Sequence, residues 1–200
     1  MVNEKFSYKV INGITAYRIV AAPVMLLLIF TGEQDIFKWL LPVSFFTDAI
    51  DGFLARKYKV ASIFGAKLDS IGDDLTVLAG IVGLFVFKFE FIKSEILVIG
   101  VLLALLAVQN VLALIRYGKI SSYHTYLAKI AALLQGIFLI LSFHFPEPVY
   151  ALFYIASVIT IMDLAEEIIL VFLLPQWKMN VKGLYWVLKT KSKNITSIFF

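Results

Sequence analysis

Cysteine is absent from the 200 residues, which excludes a disulfide framework and any thiolate metal site. Histidine is nearly absent: His124 and His144 are the only imidazoles, too few for a His-rich zinc centre. There is no internal repeat and no linker long enough to set off a second domain, so residues 1–200 read as one domain. No small-residue cleavage site follows the first apolar run, which therefore reads as a retained helix rather than a signal peptide. What the chain has in excess is apolar sequence, with 61% hydrophobic residues and a mean hydropathy of +0.91. A soluble domain needs more polar residues to cover its surface, so the composition points to several membrane spans in one bundle. The formal charge of +4 says little by itself and gives no reason to expect a nucleic-acid partner.

The apolar runs predict an all-α, polytopic membrane protein with six spans: Thr15 to Thr31, Phe37 to Ala55, Ala66 to Val86, Glu95 to Ile115, Tyr123 to Phe143 and Val149 to Leu174. Each core is near the roughly 20 residues a helix needs to cross a bilayer, where lipid offers backbone groups no partners. A short amphipathic stretch with Phe6, Tyr8, Val10 and Ile11 precedes the first span and suits an N-terminal interfacial helix. Sorted by this topology, 15 of the 18 Lys and Arg fall on one side and only Lys38, Lys88 and Lys93 on the other. The positive-inside rule then puts both termini in the cytoplasm of a bacterial-type inner membrane. After Pro175, Trp177, Tyr185 and Trp186 stand among five lysines, the pattern of a segment lying on an anionic leaflet, with membrane lipids as partners.

Acidic residues turn this from a membrane protein into a candidate enzyme. Asp48, Asp51, Asp69, Asp73 and Asp74 sit at the cytoplasmic ends of the second and third spans, and ionisable groups at membrane depth usually serve a function. Asp48 and Asp51 are three apart, and Asp69 and Asp73 four apart, so each pair shares a helix face. A basic turn separates the pairs and makes the two helices antiparallel neighbours. Four carboxylates brought together repel unless protonated or bridged by cations, and an all-carboxylate set suits Mg²⁺ or Mn²⁺. Gly52, Ala55 and Gly65 leave room for a ligand, and Arg56 supplies a planar donor for phosphate. The combination suggests a pyrophosphate held at the membrane surface.

The run Asp48-x2-Asp51-Gly52-x2-Ala55-Arg56-x8-Gly65-x3-Asp69-x3-Asp73 resembles the motif of the CDP-alcohol phosphatidyltransferases at every fixed position. Asn12-x2-Thr15-x2-Arg18-x4-Pro23 resembles the segment those enzymes carry before the motif. The resemblance implies that Asp48, Asp51 and Asp69 ligate two metal ions, with Asp73 joining the second ion or standing beside it and acting as general base. It also implies that Gly52, Ala55, Arg56, Ser62 and Gly65 form the CDP side of the site, with Asn12 and Thr15 bordering it. The expected donor is CDP-diacylglycerol, the acceptor a small alcohol and the leaving group CMP. Related enzymes are often homodimers.

The acceptor is less legible. Family members using glycerol 3-phosphate often read Asp-Pro-x2-Asp-Lys in the second half of the motif, whereas this chain reads Asp69-Ser70-Ile71-Gly72-Asp73-Asp74. That tilts the reading towards inositol phosphate or another head group, with glycerol 3-phosphate as the alternative. A phosphorylated acceptor needs cations, for which Arg116, Lys119 and Lys129 are candidates beside His124; ordinary positive-inside bias explains the same residues. Asp163, Glu166 and Glu167 are expected to pair with Arg18 or Lys129, or else to line an acceptor cavity. Gln109 and Asn110 read as interhelical hydrogen-bonding groups, and His144 as exposed. A small cation transporter would explain intramembrane acids but not the fixed gaps. A non-catalytic scaffold would tolerate the loss of Asp73.

Overall fold

The computed structural model describes the backbone of residues 4–58, 63–121 and 123–196, and the side chains of residues 13, 17–47, 50, 71–73, 75–121 and 123–190. Among the described residues every regular element is helical and no strand forms. The helices are α1 (Glu4–Thr31), α2 (Gln34–Tyr58), α3 (Ile63–Phe87), α4 (Phe89–Ser94), α5 (Ile96–Tyr117), α6 (Tyr126–His144), α7 (Tyr150–Leu173) and α8 (Leu184–Thr196).

Several boundaries differ from the sequence expectation. Among the described residues no separate N-terminal interfacial helix forms, because α1 runs unbroken from Glu4 into the first apolar run. The helix expected from Tyr123 starts instead at Tyr126, since the Thr125 hydroxyl accepts the Ala128 amide at 3.0 Å and caps the helix there. The break between the third and fourth spans holds a short helix, α4, that buries Phe91 and Ile92. Beyond Leu173 the chain turns and forms α8.

The chain divides into two compact units: Met1–Lys93 with Leu139–Pro148, and Ser94–Phe138 with Val149–Phe200. In the first unit α1 packs on α2 and α3. Ala21, Ala22, Met25 and Ile29 of α1 are buried there, with Phe37 and Leu41 of α2 and Ala79 of α3. Phe37 meets Phe143 edge-on at 4.9 Å. A Cβ on Gly83 would come within 2.9 Å of Phe37 and 3.1 Å of Phe143, so the bare backbone of α3 lets both rings close in. Lys88 donates to the carbonyls of Phe145 and Pro146 at 3.0 and 2.8 Å, which ties the end of α3 to the turn after His144.

In the second unit α5 lies along α7. Glu95 meets Tyr154, Gln109 meets Glu167, and Tyr117 meets the carbonyls of Val171 and Leu174; the pairs ascend together, so the two helices run parallel. Ala113, Tyr123, Leu170, Val171, Leu174 and Val181 form the core of this unit, with Leu184 and Val187 of α8 packed against it.

Two helices among the described residues, Ile96–Tyr117 and Tyr126–His144, are long and apolar enough to cross a membrane, with mean hydropathies of 2.6 and 1.9. Many of their apolar side chains face outward, as Leu97 at 81%, Ile115 at 78% and Leu133 at 64% exposure illustrate, and packing within the protein does not cover these. Tyr17–Thr31 is a shorter apolar stretch, and α7 is uncharged except for Asp163, Glu166 and Glu167.

Candidate active site

The motif aspartates occupy two consecutive helices. Asp48 and Asp51 lie in the last three turns of α2, and Asp69 and Asp73 in the first three turns of α3. A helix advances one turn every 3.6 residues, so each pair occupies one stripe of its helix. The side chains of Asp48, Asp51, Asp69 and Asp74 lie outside the described residues, as do those of Asn12, Thr15, Ala55 and Arg56; nothing is described at Gly52 and Gly65 beyond helical backbone, or at Ser62 at all. Among the described residues no three His, Asp or Glu gather into a metal-holding group, and of the four expected ligands only Asp73 is among them.

Asp73 is therefore where the geometry of the site can be read. Its side chain is 43% exposed, and its Oδ1 accepts a hydrogen bond from Nη1 of Arg18, a fully buried residue of α1. Gly72 stands beside this contact: a Cβ there would lie 3.3 Å from Cβ and 3.5 Å from Nε of Arg18. Thr76, itself buried, donates to the Gly72 carbonyl at 2.8 Å and occupies the acceptor of the same turn. The donor set suits the metals the motif implies. Carboxylate oxygens are hard ligands, α2 and α3 pack on each other, and the Asp73 carboxylate is half-exposed.

The basic residues expected at the acceptor lie in the second unit, and each has a local partner. Nη2 of Arg116 donates to the carbonyls of Phe172 and Leu174, both at 3.3 Å, and so caps the C-terminal end of α7. The Lys119 ammonium sits 4.9 Å from the Trp177 ring centre, and that of Lys129 sits 5.5 Å from the Tyr126 ring centre. Lys129 is exposed.

Among the described residues the acids of α7 make none of the expected ion pairs. Asp163 accepts from the Thr125 hydroxyl at 3.0 Å, Glu166 from the Leu184 amide at 2.7 Å, and Glu167 from Nε2 of Gln109 at 2.7 Å and the Ser121 hydroxyl at 3.1 Å. Neutral donors answer these carboxylates because the loop after α5 and the start of α8 bring hydroxyls and amides to α7. Gln109 is the interhelical group its place in an apolar helix suggests, whereas Asn110 donates to its own helix at the Leu106 carbonyl. His144 is half-buried rather than exposed, with Nδ1 at 2.9 Å from the Ile140 carbonyl and its ring edge-on to Trp39. Sequence reasoning missed Thr125 and Ser121, although both are hydroxyls in the short segment leading into α6.

The family model for CDP-alcohol phosphatidyltransferase matches residues 9–178, a stretch that contains α2, α3, all four aspartates and Arg18. The chain belongs to the CDP-alcohol phosphatidyltransferase family. Among its relatives, a protein of Bacillus subtilis named CDP-diacylglycerol--glycerol-3-phosphate 3-phosphatidyltransferase is 28% identical over 159 residues, covering 68% of this chain and 82% of the relative. A Rickettsia typhi protein of the same name is 30% identical over 127 residues, covering 62% of this chain and 70% of the relative. A Mycobacterium tuberculosis protein named a probable phosphatidylglycerophosphate synthase is 35% identical over 79 residues, or 36% of this chain. The chain spans about 38% of the length of that mycobacterial relative. No solved structure matches the chain.

Proposed function

We propose that this protein transfers the phosphatidyl group of CDP-diacylglycerol to glycerol 3-phosphate, with release of CMP. The observation that carries the acceptor is the match to the Bacillus and Rickettsia relatives, whose names state that acceptor. The tilt towards inositol phosphate drawn from Ser70 and Asp74 gains no support from them. A neutral serine has no charge with which to tell one phosphorylated polyol from another.

In this reading Asp48, Asp51 and Asp69, with Asp73, hold Mg²⁺ or Mn²⁺, and such ions when bound neutralise the pyrophosphate and the charge that builds on departing CMP. Asn12, Thr15, Gly52, Ala55, Arg56, Ser62 and Gly65 form the CDP side. Asp73 takes the proton of the attacking glycerol hydroxyl. The hydroxyl oxygen bonds to the phosphorus that bears diacylglycerol, the bond from that phosphorus to the CMP oxygen breaks, and phosphatidylglycerol phosphate remains in the bilayer. The acceptor's own phosphate calls for a cation, for which Arg116, Lys119 and Lys129 are the candidates; Lys129 is exposed and rests against the Tyr126 ring.

The same reading makes residues 1–200 one membrane domain with six spans, its site and both termini cytoplasmic. The family match running through both compact units supports a single domain, and the parallel course of α5 and α7 suits two spans separated by one return crossing. The chain from Ile168 onward carries five lysines and no acid. On α8 Tyr185 and Leu188 are exposed while Leu184 and Val187 pack inward, which suits a helix lying on an anionic leaflet.

The test is CMP release from CDP-diacylglycerol by purified protein with Mn²⁺ or Mg²⁺ against glycerol 3-phosphate, inositol phosphate, inositol and serine. Turnover with glycerol 3-phosphate alone is expected. Turnover confined to inositol phosphate would overturn the acceptor, and inactivity towards every acceptor with metal present would overturn the transferase.

A further inference from the structure

Arg18 is fully buried in α1, and a buried guanidinium is costly unless a charge or several acceptors meet it. Its Nη1 reaches Oδ1 of Asp73, fifty-five residues away on α3. The approach depends on Gly72, the residue before Asp73. A methyl group there would press against Cβ, Nε and Cζ of Arg18 at 3.3, 3.5 and 3.6 Å, so the missing side chain is what admits the arginine stem alongside α3. Thr76 fills the next turn of the same stripe and bonds the Gly72 carbonyl. Asp73 nevertheless keeps 43% of its side chain exposed. One end of the carboxylate is thus engaged by a guanidinium rooted in a buried stem, while the group as a whole still faces outward.

We propose that Arg18 is the positioning residue for Asp73: lodged beside Gly72, its guanidinium engages Oδ1 and fixes the orientation in which the carboxylate meets the acceptor hydroxyl and the metal. The proposal rests on the reading of Asp73 as base and metal ligand. A planar, permanently charged fork on a buried stem suits the task, because it fixes both distance and orientation. Lysine offers a point charge on a flexible stem and fixes neither. Displacements near 1 Å at a reacting group can cost about a hundredfold in rate.

The experiment compares wild type, Arg18→Lys, Gly72→Ala, Asp73→Asn and the Arg18→Lys/Asp73→Asn double variant, each purified in detergent. The readouts are CMP release, Mn²⁺ binding followed by electron paramagnetic resonance, and thermal unfolding. Arg18→Lys and Gly72→Ala are expected to lower kcat about ten- to a hundredfold, with KM for CDP-diacylglycerol within about threefold of wild type. Arg18→Lys is expected to weaken Mn²⁺ binding about tenfold. In the double variant neither kcat nor Mn²⁺ affinity should fall below that of Asp73→Asn alone, because the residue being positioned is already lost. An unchanged kcat in Arg18→Lys, unchanged Mn²⁺ binding, or losses that add fully in the double variant would each overturn the proposal. A kcat loss matched by an equal loss of folded protein would reduce Arg18 to a packing role and overturn it too. Full CMP release and Mn²⁺ binding by Asp73→Asn would instead overturn the underlying reading of Asp73, an outcome recognisable without any Arg18 variant.

Discussion

The two units treat buried charge differently. In the first, a buried cation, Arg18, meets a carboxylate, Asp73. In the second, the carboxylates Asp163, Glu166 and Glu167 are met by a hydroxyl, a backbone amide, and a side-chain amide with a hydroxyl. An ion pair brings two opposite charges into one fixed geometry, as a reacting carboxylate requires. Neutral donors leave the charge standing and serve as joints: Glu167 links α7 to α5, Asp163 links it to the residue that caps α6, and Glu166 links it to the first amide of α8. In the proposed function the same residue type supports chemistry in one region, while in the other it joins helices.

Neutralising one carboxylate in each region breaks the comparison most sharply. Asp73→Asn removes the proposed base, so CMP release should fall about 10³-fold. Asp163→Asn keeps an oxygen that can accept from Thr125, so its CMP release should stay within about threefold of wild type. Assays of both variants at saturating Mn²⁺ check this. A loss from Asp163→Asn as large as that from Asp73→Asn would erase the distinction between the units.

The next effect is on stability. Glu167→Leu removes the acceptor shared by Nε2 of Gln109, a residue only 1% exposed, and the Ser121 hydroxyl, which should cost about 1–3 kcal/mol. Glu167→Gln keeps a polar partner and should cost under about 1 kcal/mol. Unfolding in detergent, followed by circular dichroism, measures both. Equal destabilisation by the two variants would mean that the charge of Glu167, and not its hydrogen bonds, holds α5 to α7.

These contrasts mark the limit of what sequence could reveal. The spacing of Asp48, Asp51, Asp69 and Asp73 makes the proposed donor side legible because helical periodicity turns gaps of three and four into shared faces. The apolar runs likewise reveal the bodies of α1, α2, α3, α5, α6 and α7. The partners of charged groups are hidden because they come from distant segments: Arg18 finds Asp73 across fifty-five positions, and Glu167 finds Gln109 across fifty-eight. A reading that matches cations to anions overlooks hydroxyls and backbone amides, so Asp163 is assigned Arg18 or Lys129 when Thr125 answers it. Helix ends move for the same kind of reason, since the Thr125 cap that starts α6 at Tyr126 lies inside the stretch read as a span from Tyr123.

A smaller effect tests the joint between α7 and α8. Gly183 has φ +143°, and a Cβ there would lie 3.0 Å from Oε1 of Glu166, the atom that accepts the Leu184 amide. Gly183→Ala should therefore cost about 1–2 kcal/mol and loosen α8 without changing CMP release from detergent-solubilised protein. Hydrogen exchange along residues 184–190 reads the loosening directly. Unchanged protection there would mean that Leu184 and Val187, packed on the core, hold α8 without the glutamate.

The smallest effects separate two basic residues that sequence treats alike. Arg116 donates to the last carbonyls of α7, so Arg116→Ala should cost about 1 kcal/mol of stability and leave the KM for glycerol 3-phosphate nearly unchanged. Lys129 is exposed and rests against the Tyr126 ring, so its charge can be offered to a phosphate. Lys129→Ala should raise that KM about tenfold, with the KM for CDP-diacylglycerol unchanged and stability within about 0.5 kcal/mol of wild type. Steady-state kinetics with each substrate varied in turn distinguish the two. If Arg116→Ala raises the acceptor KM and Lys129→Ala does not, the helix-capping arginine also serves the substrate, and the second unit no longer separates architecture from chemistry.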